Sequence, residues 1–104
     1  MRENLPNRRP CETIAIRHNG AAVTASIGRY PDGRPAELFL NSGKIDSDLD
    51  CLMADAAVAI SIALQHGAPV EALRHSMKKD PRGGAVSAIG VAITLLADTG
   101  NPAP

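Results

Sequence analysis

Apolar residues alternate along the first half of this chain and recur at helical spacing along the second. From Thr13 to His18 the alternation puts Ile14 and Ile16 on one face. Asn19-Gly20 follows, a pair suited to a type I′ hairpin turn. Folding the chain there sets His18 opposite Ala21, Ile16 opposite Val23 and Ile14 opposite Ala25, with Ile27 continuing the apolar face. Thr13, Arg17, Thr24 and Ser26 then fall on the other face, so turn chemistry and hydrophobic register agree. A second turn sits at Pro31-Asp32-Gly33. Proline pre-sets φ there, aspartate bonds the local backbone, and glycine supplies the positive φ that closes the turn. The chain returns through Ala36 to Leu40, with Leu38 and Leu40 on the apolar face and Glu37 and Phe39 opposite. This predicts a three-stranded antiparallel meander with one apolar face that must be covered.

The cover is a helix from about Asp48 to His66. Ser47 suits its N-cap, and Asp50, three residues on, forms a variant capping box. Asp48 and Asp50 suit the positive end of the helix dipole, and Gly67 the left-handed C-cap. Leu49, Leu52, Met53, Ala56, Ile60 and Leu64 make the main stripe, and Val58 and Ile62 a second. From Ala56 to Leu64 only Ser61 is polar, so this helix is expected to be buried nearly all round, with the sheet on one side and a further helix on the other. Pro69 opens a short second helix as its first residue, running to about Met77. Lys78 to Gly84 breaks the chain, and a third helix runs from about Val86 to Ala97 on Val86, Ile89, Ile93 and Leu96. The expected architecture is α+β: the meander packed against a long central helix, then a short helix and a C-terminal helix. Residues 1–11 read as an extended arm, 12–98 as a single domain and 99–104 as a flexible tail.

Composition sharpens this picture. The chain has 104 residues, no Trp, one Tyr (Tyr30) and one Phe (Phe39), so the core must be built from Ala, Val, Ile and Leu. Net charge is zero, which gives no global electrostatic case for nucleic acid or membrane. The charge is nevertheless sorted: residues 1–34 carry six Arg against Glu3, Glu12 and Asp32, residues 35–57 are acidic, and residues 71–82 are basic again. The longest apolar run, Ala56 to Leu64, is half a membrane span. Two cysteines far apart make no disulfide scaffold, and the N-terminus has no apolar stretch of the signal-peptide kind, so a cytoplasmic protein with reduced thiols is expected.

Candidate chemistry is sparse. Cys11, Cys51, His18, His66 and His75 are the only soft ligands, and none forms a local metal-binding pair, so no metal site is expected. Cys51 lies in the first turn of an apolar helix and is expected to be buried; an exposed Cys51 at a helix N-terminus would reopen the question of its reactivity. Gly83-Gly84, beside Lys78, Lys79 and Arg82, faintly resembles a phosphate-cradling loop without the spacing of one. No catalytic or cofactor-binding residue is identified. Glu37 and Phe39, with Arg29 and Arg34, form the candidate partner surface, and Cys11 and Cys51 the candidate redox residues.

The run Gly28-Arg29-Tyr30-Pro31-Asp32-Gly33 to Glu37-Leu38-Phe39-Leu40 resembles a Gly-x-Tyr-x-Asp-Gly…Glu-Ile-Phe-Ile segment near the C-terminus of adenosylcobalamin-dependent ribonucleotide reductases. Cys51-Leu52-Met53 is similar to that family's Ser-Leu-Met. Ala59-Ile60-Ser61-Ile62-Ala63-Leu64-Gln65-His66-Gly67-Ala68-Pro69-Val70-Glu71 is similar to its Ala-Val-Ser-Leu-Gly-Leu-Gln-Tyr-Gly-Val-Pro-Leu-Glu. The region resembles the small TSCPD domain over roughly residues 12–97. The Thr-Ser-Cys-Pro-Asp peptide that names the domain has no counterpart at Ala85 to Gly90, and the reductase's barrel and cobalamin site have none anywhere in the chain. The resemblance implies a non-catalytic binding or regulatory module of deoxyribonucleotide metabolism, with a ribonucleotide reductase or a replication protein as partner and a homodimer left open. The alternatives are an accessory subunit or fragment completing a reductase in trans, with Cys11 and Cys51 as its thiols, and a small nucleic-acid-binding module using Arg2, Arg8, Arg9, Arg17, Arg29 and Arg34. Zero net charge and scarce aromatics disfavour the last.

Overall fold

The computed structural model describes residues 2–7, 11–18, 21–42 and 47–99. Strands β1 (Cys11–His18), β2 (Ala21–Arg29) and β3 (Pro35–Ser42) form one antiparallel sheet in the order β1-β2-β3. Helices α1 (Asp48–Gln65), α2 (Val70–Ser76) and α3 (Ala88–Thr99) follow, giving the expected α+β arrangement. His18 pairs with Ala21, Ile16 with Val23 and Ile14 with Ala25, as the hydrophobic alternation requires. The Asn19-Gly20 turn, Arg8, Arg9 and the tail beyond Thr99 lie outside the described residues. At the second turn the Gly33 N–H donates to Tyr30 O at 2.9 Å, with Gly33 at φ 96°.

The core is aliphatic. Ile16, Val23, Ala25, Ile27, Leu38 and Leu40 from the sheet meet Met53, Ala57, Ile60 and Leu64 from α1 and Ala92, Ile93 and Leu96 from α3. Ile27, Leu38, Leu40, Ile93 and Leu96 are fully enclosed. Burial of each such side chain contributes roughly 1.5–3 kcal/mol.

Helix α1 does more than cover the sheet: its side chains close the free edge of β3. Ser61 Oγ accepts from Leu38 N–H at 2.8 Å and lies 3.1 Å from Leu38 O, with a further contact of 2.8 Å to Ala57 O. One turn on, Gln65 Nε2 donates to Ala36 O at 3.1 Å. At the other end Asp50 Oδ1 accepts from the backbone N–H of Ser42 at 3.0 Å and from its hydroxyl at 3.1 Å. The match is geometric. Four helical residues rise about 6.0 Å and two strand residues about 6.7 Å, so helix positions four apart keep step with strand positions two apart. Ala57 fits the same line opposite the middle of the strand, where a small residue lets helix and strand approach.

This clamp sets the rotation of α1 and corrects the expectation of a helix buried all round. The buried arc is Met53, Ala57, Ile60, Ser61, Leu64 and Gln65. At 100° per residue it is turned by roughly 70° from the stripe that apolar character alone picks out. Leu49 and Leu52, placed in that stripe, are 59% and 69% exposed, and Val58 and Ile62 also face solvent. Helix α3 does not cover the far side of α1; it lies on the same face of the sheet and completes the same core. Cys51, expected to be buried, is exposed for the same reason.

The helix ends follow their sequence signals closely. Ser47 Oγ caps α1 by accepting from Asp50 N–H at 3.1 Å. At the other end Gly67 takes φ 93°; Gly67 N–H donates to Leu64 O and Ala68 N–H to Ala63 O, each at 3.0 Å, the Schellman pattern. Pro69 stands one position earlier than expected, as the N-cap of α2. Helix α3 begins at Ala88 rather than Val86 because Ser87 Oγ accepts from Gly90 N–H at 3.0 Å and caps it.

Replacing Ser61 with Ala should leave the N–H and C=O of Leu38 buried without a partner. The expected loss is about 1–3 kcal/mol in denaturant unfolding, with faster hydrogen exchange confined to the Leu38 amide and its neighbours.

Candidate functional site

The outward turn of Leu49 and Leu52 builds one wall of an apolar groove of about 620 Å³. Met53 and Ala56 continue that wall along α1, Val23 and His18 form the floor at the end of the sheet, and Val86, Ala88 and Ile89 form the opposite wall where the chain enters α3. His18 fixes this wall to the sheet: its Nε2 lies 3.1 Å from Val86 O, and because a carbonyl can only accept, Nε2 carries the hydrogen. The chemistry the groove offers is burial of an apolar segment beside one imidazole. Sequence reasoning missed it. The available signal was the polar line Asp50, Ser61 and Gln65 along α1, which marks the side facing a strand edge and so puts Leu52 outside.

The residues assigned to a partner surface stand in different surroundings. Phe39 is 47% exposed on the outer face of the sheet. Glu37 shares that face but is only 9% exposed, folded over Gly28: a Cβ on Gly28 would lie 2.3 Å from Glu37 Oε2 and 2.5 Å from its Cγ. Arg29 is turned inward at the sheet's end, where Nη2 pairs with Glu12 at 2.6 Å and Nη1 donates to Gly33 O at 3.1 Å. Arg34 belongs to a third group, at the second turn. Cys11 begins β1 and Cys51 lies in the first turn of α1, both exposed and on different elements.

That third group ties the N-terminal segment to the domain. Glu3 N–H donates to Gln65 O at 2.7 Å, Arg2 Nε to Gln65 Oε1 at 2.5 Å, and the Tyr30 hydroxyl to Glu3 O at 2.8 Å. Arg34 stacks over the Tyr30 ring at 4.6 Å and pairs with Glu3 and Asp32. Hydrogen bonds from the Arg34 backbone and side chain hold the Asp32 carboxyl below the usual value, and those to Glu3 and Asp32 raise Arg34. Burial pushes the Tyr30 phenol up, with the Glu3 carboxylate adding to it.

The Gly83-Gly84 loop is a closed turn. The Asp80 carboxylate accepts from Arg82 N–H and Gly84 N–H, each at 2.9 Å, taking the donors a phosphate would need. Lys79 Nζ is bound to the carbonyls of Arg74, His75 and Met77 at the end of α2. Among the described residues, no group of three or more His, Cys, Asp or Glu could hold a metal ion, and no helix is long and apolar enough to cross a membrane.

Comparison with known proteins agrees with the resemblance read from the sequence. The family model described as TSCPD domain matches residues 3–98, a span that takes in the docked Glu3. A vitamin B12-dependent ribonucleotide reductase of Rhodopirellula baltica is 38% identical over 72 residues, covering 69% of this chain and 7% of its own. Its counterpart in Agrobacterium fabrum is 39% identical over 70 residues, covering 67% of this chain and 6% of its own. That of Streptantibioticus cattleyicolor is 35% identical over 71 residues, covering 68% and 12% respectively. The chain therefore spans only a small fraction of these relatives. No solved structure matches it.

Tyr30 and Asp32 make the turn sensitive to pH in opposite directions. The raised Tyr30 value means that its contribution is complete below the unfolded value of about 10 and is lost as pH rises through the folded one. The lowered Asp32 value means a contribution present above about 4 and lost as pH falls through the folded value. Tyr30→Phe should cost about 0.5–1.5 kcal/mol at neutral pH and remove the alkaline step from a stability-versus-pH curve. Asp32→Asn should differ from the parent at neutral pH and converge with it in acid.

Proposed function

The chain belongs to the TSCPD domain family, and on that premise we propose that it is a non-catalytic binding module acting on a vitamin B12-dependent ribonucleotide reductase in deoxyribonucleotide metabolism. The observation that carries this reading is the apolar groove at the N-terminal end of α1. Leu52 is 69% exposed there, in a helix whose Asp50, Ser61 and Gln65 side chains are spent on β3. Exposed apolar side chains around a groove support the reading of a contact surface. The occupant that fits is an apolar segment of the reductase polypeptide, because in the named relatives the matching stretch is a minor part of a much longer reductase chain.

A second reading, completion of a reductase in trans through thiol exchange, is favoured by one observation: Cys11 and Cys51 are both exposed. The two readings separate by mutation. In co-sedimentation with a purified B12-dependent reductase lacking its own matching segment, Leu52→Glu should weaken binding at least tenfold. Its unfolding midpoint should stay close to the parent's, since position 52 is largely in water. The Cys11→Ser, Cys51→Ser double variant should bind as the parent does and leave reductase turnover unchanged. Loss of turnover with binding intact would establish the thiol reading instead.

A further inference from the structure

The two edges of the sheet are treated differently. The outer edge of β3 is closed by Ser61, Gln65 and Asp50 from α1. Among the described residues β1 pairs with β2 alone, and no strand flanks its other side. The hydrogen-bond alternation of an antiparallel ladder tells which groups point there. Leu38 turns its N–H and C=O away from β2, toward Ser61, so Glu37, Phe39 and Asn41 bond Gly28, Ser26 and Thr24. Val23, Ala25 and Ile27 then bond Ile16, Ile14 and Glu12, and the backbone groups of Thr13 and Ala15 face outward from β1. Both residues are exposed. An eight-residue edge strand with outward-facing backbone groups and no proline is a template for another strand.

We propose that β1 pairs antiparallel with β1 of a second copy of this chain, joining two sheets into one of six strands across a two-fold axis at Ala15. A two-fold axis through an antiparallel strand pair closes the assembly at two copies. With both helical layers on one side of the joined sheet, opposed residues must share a face, which restricts the register to steps of two. Centring on Ala15 puts Glu12 of each copy opposite His18 of the other, Ile14 opposite Ile16 and Thr13 opposite Arg17. Apolar meets apolar, the half-buried Ile14 gains a cover, and Glu12, whose Oε1 is held by Arg29, comes beside the imidazole that Val86 O holds. Moving the centre to Ile14 would set Glu12 against Ile16, a carboxylate against an apolar side chain. A centre at Ile16 would set Ile14 against His18 and leave Glu12 beyond the pairing, so the sequence of β1 matches itself best with the centre at Ala15. The edge is distinct from the apolar groove, sharing only His18 with it.

Sedimentation velocity over a concentration series tests the pairing. The intact chain should show a reversible monomer–dimer equilibrium. Ala15→Pro removes an outward N–H without touching a bond to β2 and should abolish the dimer while far-ultraviolet dichroism is retained. Thr13→Lys, which sets a second cation opposite Arg17 twice in the dimer, should weaken it at least tenfold, whereas Thr13→Glu should strengthen it. This charge pair keeps the test decisive if the proline variant fails to fold. In a Cys11→Ser, Cys51→Ser background, Ala15→Cys should form an intermolecular disulfide on mild oxidation, because hydrogen-bonded antiparallel partners stand about 5.5 Å apart at Cα. A monomer at every concentration overturns the proposal. So does a dimer that survives both Ala15→Pro and Thr13→Lys.

Discussion

The structure depends on how the edge of β3 is satisfied. A strand at the margin of a sheet exposes backbone groups that, once buried under a helix, need partners. Here the partners come from the helix itself, through Ser61, Gln65 and Asp50, and the similar repeats of helix and strand keep the three contacts in line. This fixes the rotation of α1 about its axis, and the rotation decides which residues reach the core and which reach water. The Ser and Gln of the segment that resembles the reductase family are therefore explained by folding.

The strands were readable because two independent signals coincide in each. Turn residues and hydrophobic register agree for β1 with β2, and Gly33 at positive φ closes the second turn as its neighbours require. Helix ends were readable for the same reason, at Ser47 and Gly67. The rotation of α1 was not, because a helix rich in Ala has a weak amphipathic signal and its orientation is set by three polar residues whose partners lie in another element. The misplacement of Leu49 and Leu52 follows from that one cause, and so does the missed groove, whereas Cys51 is exposed because α3 does not cover the far side of α1. Glu37 was legible as an outer-face residue, but its burial depends on the missing side chain at Gly28, across the strand pair.

Seen as a contact-making object, the domain has two distinct kinds of surface. The groove beside α1 offers apolar side chains around a space, suited to a segment that brings its own hydrophobic groups. The edge of β1, which no other strand flanks among the described residues, offers directional backbone bonds, suited to an extended strand. His18 stands where the two meet, holding Val86 in place and ending the strand. The docked Glu3 lies elsewhere, stitching the chain's beginning to the end of α1 and to the Tyr30 turn.

The close fit of Glu37 over Gly28 makes the two positions one unit of variation. The carboxylate side chain occupies the space that any Cβ at position 28 would need, so a side chain there must displace it. A larger residue at 28 is accommodated when the flexible side chain at 37 swings aside or is shortened, and the glutamate then loses its cover over the glycine. The two positions are therefore coupled through one shared volume, and a change at either alters the room available to the other.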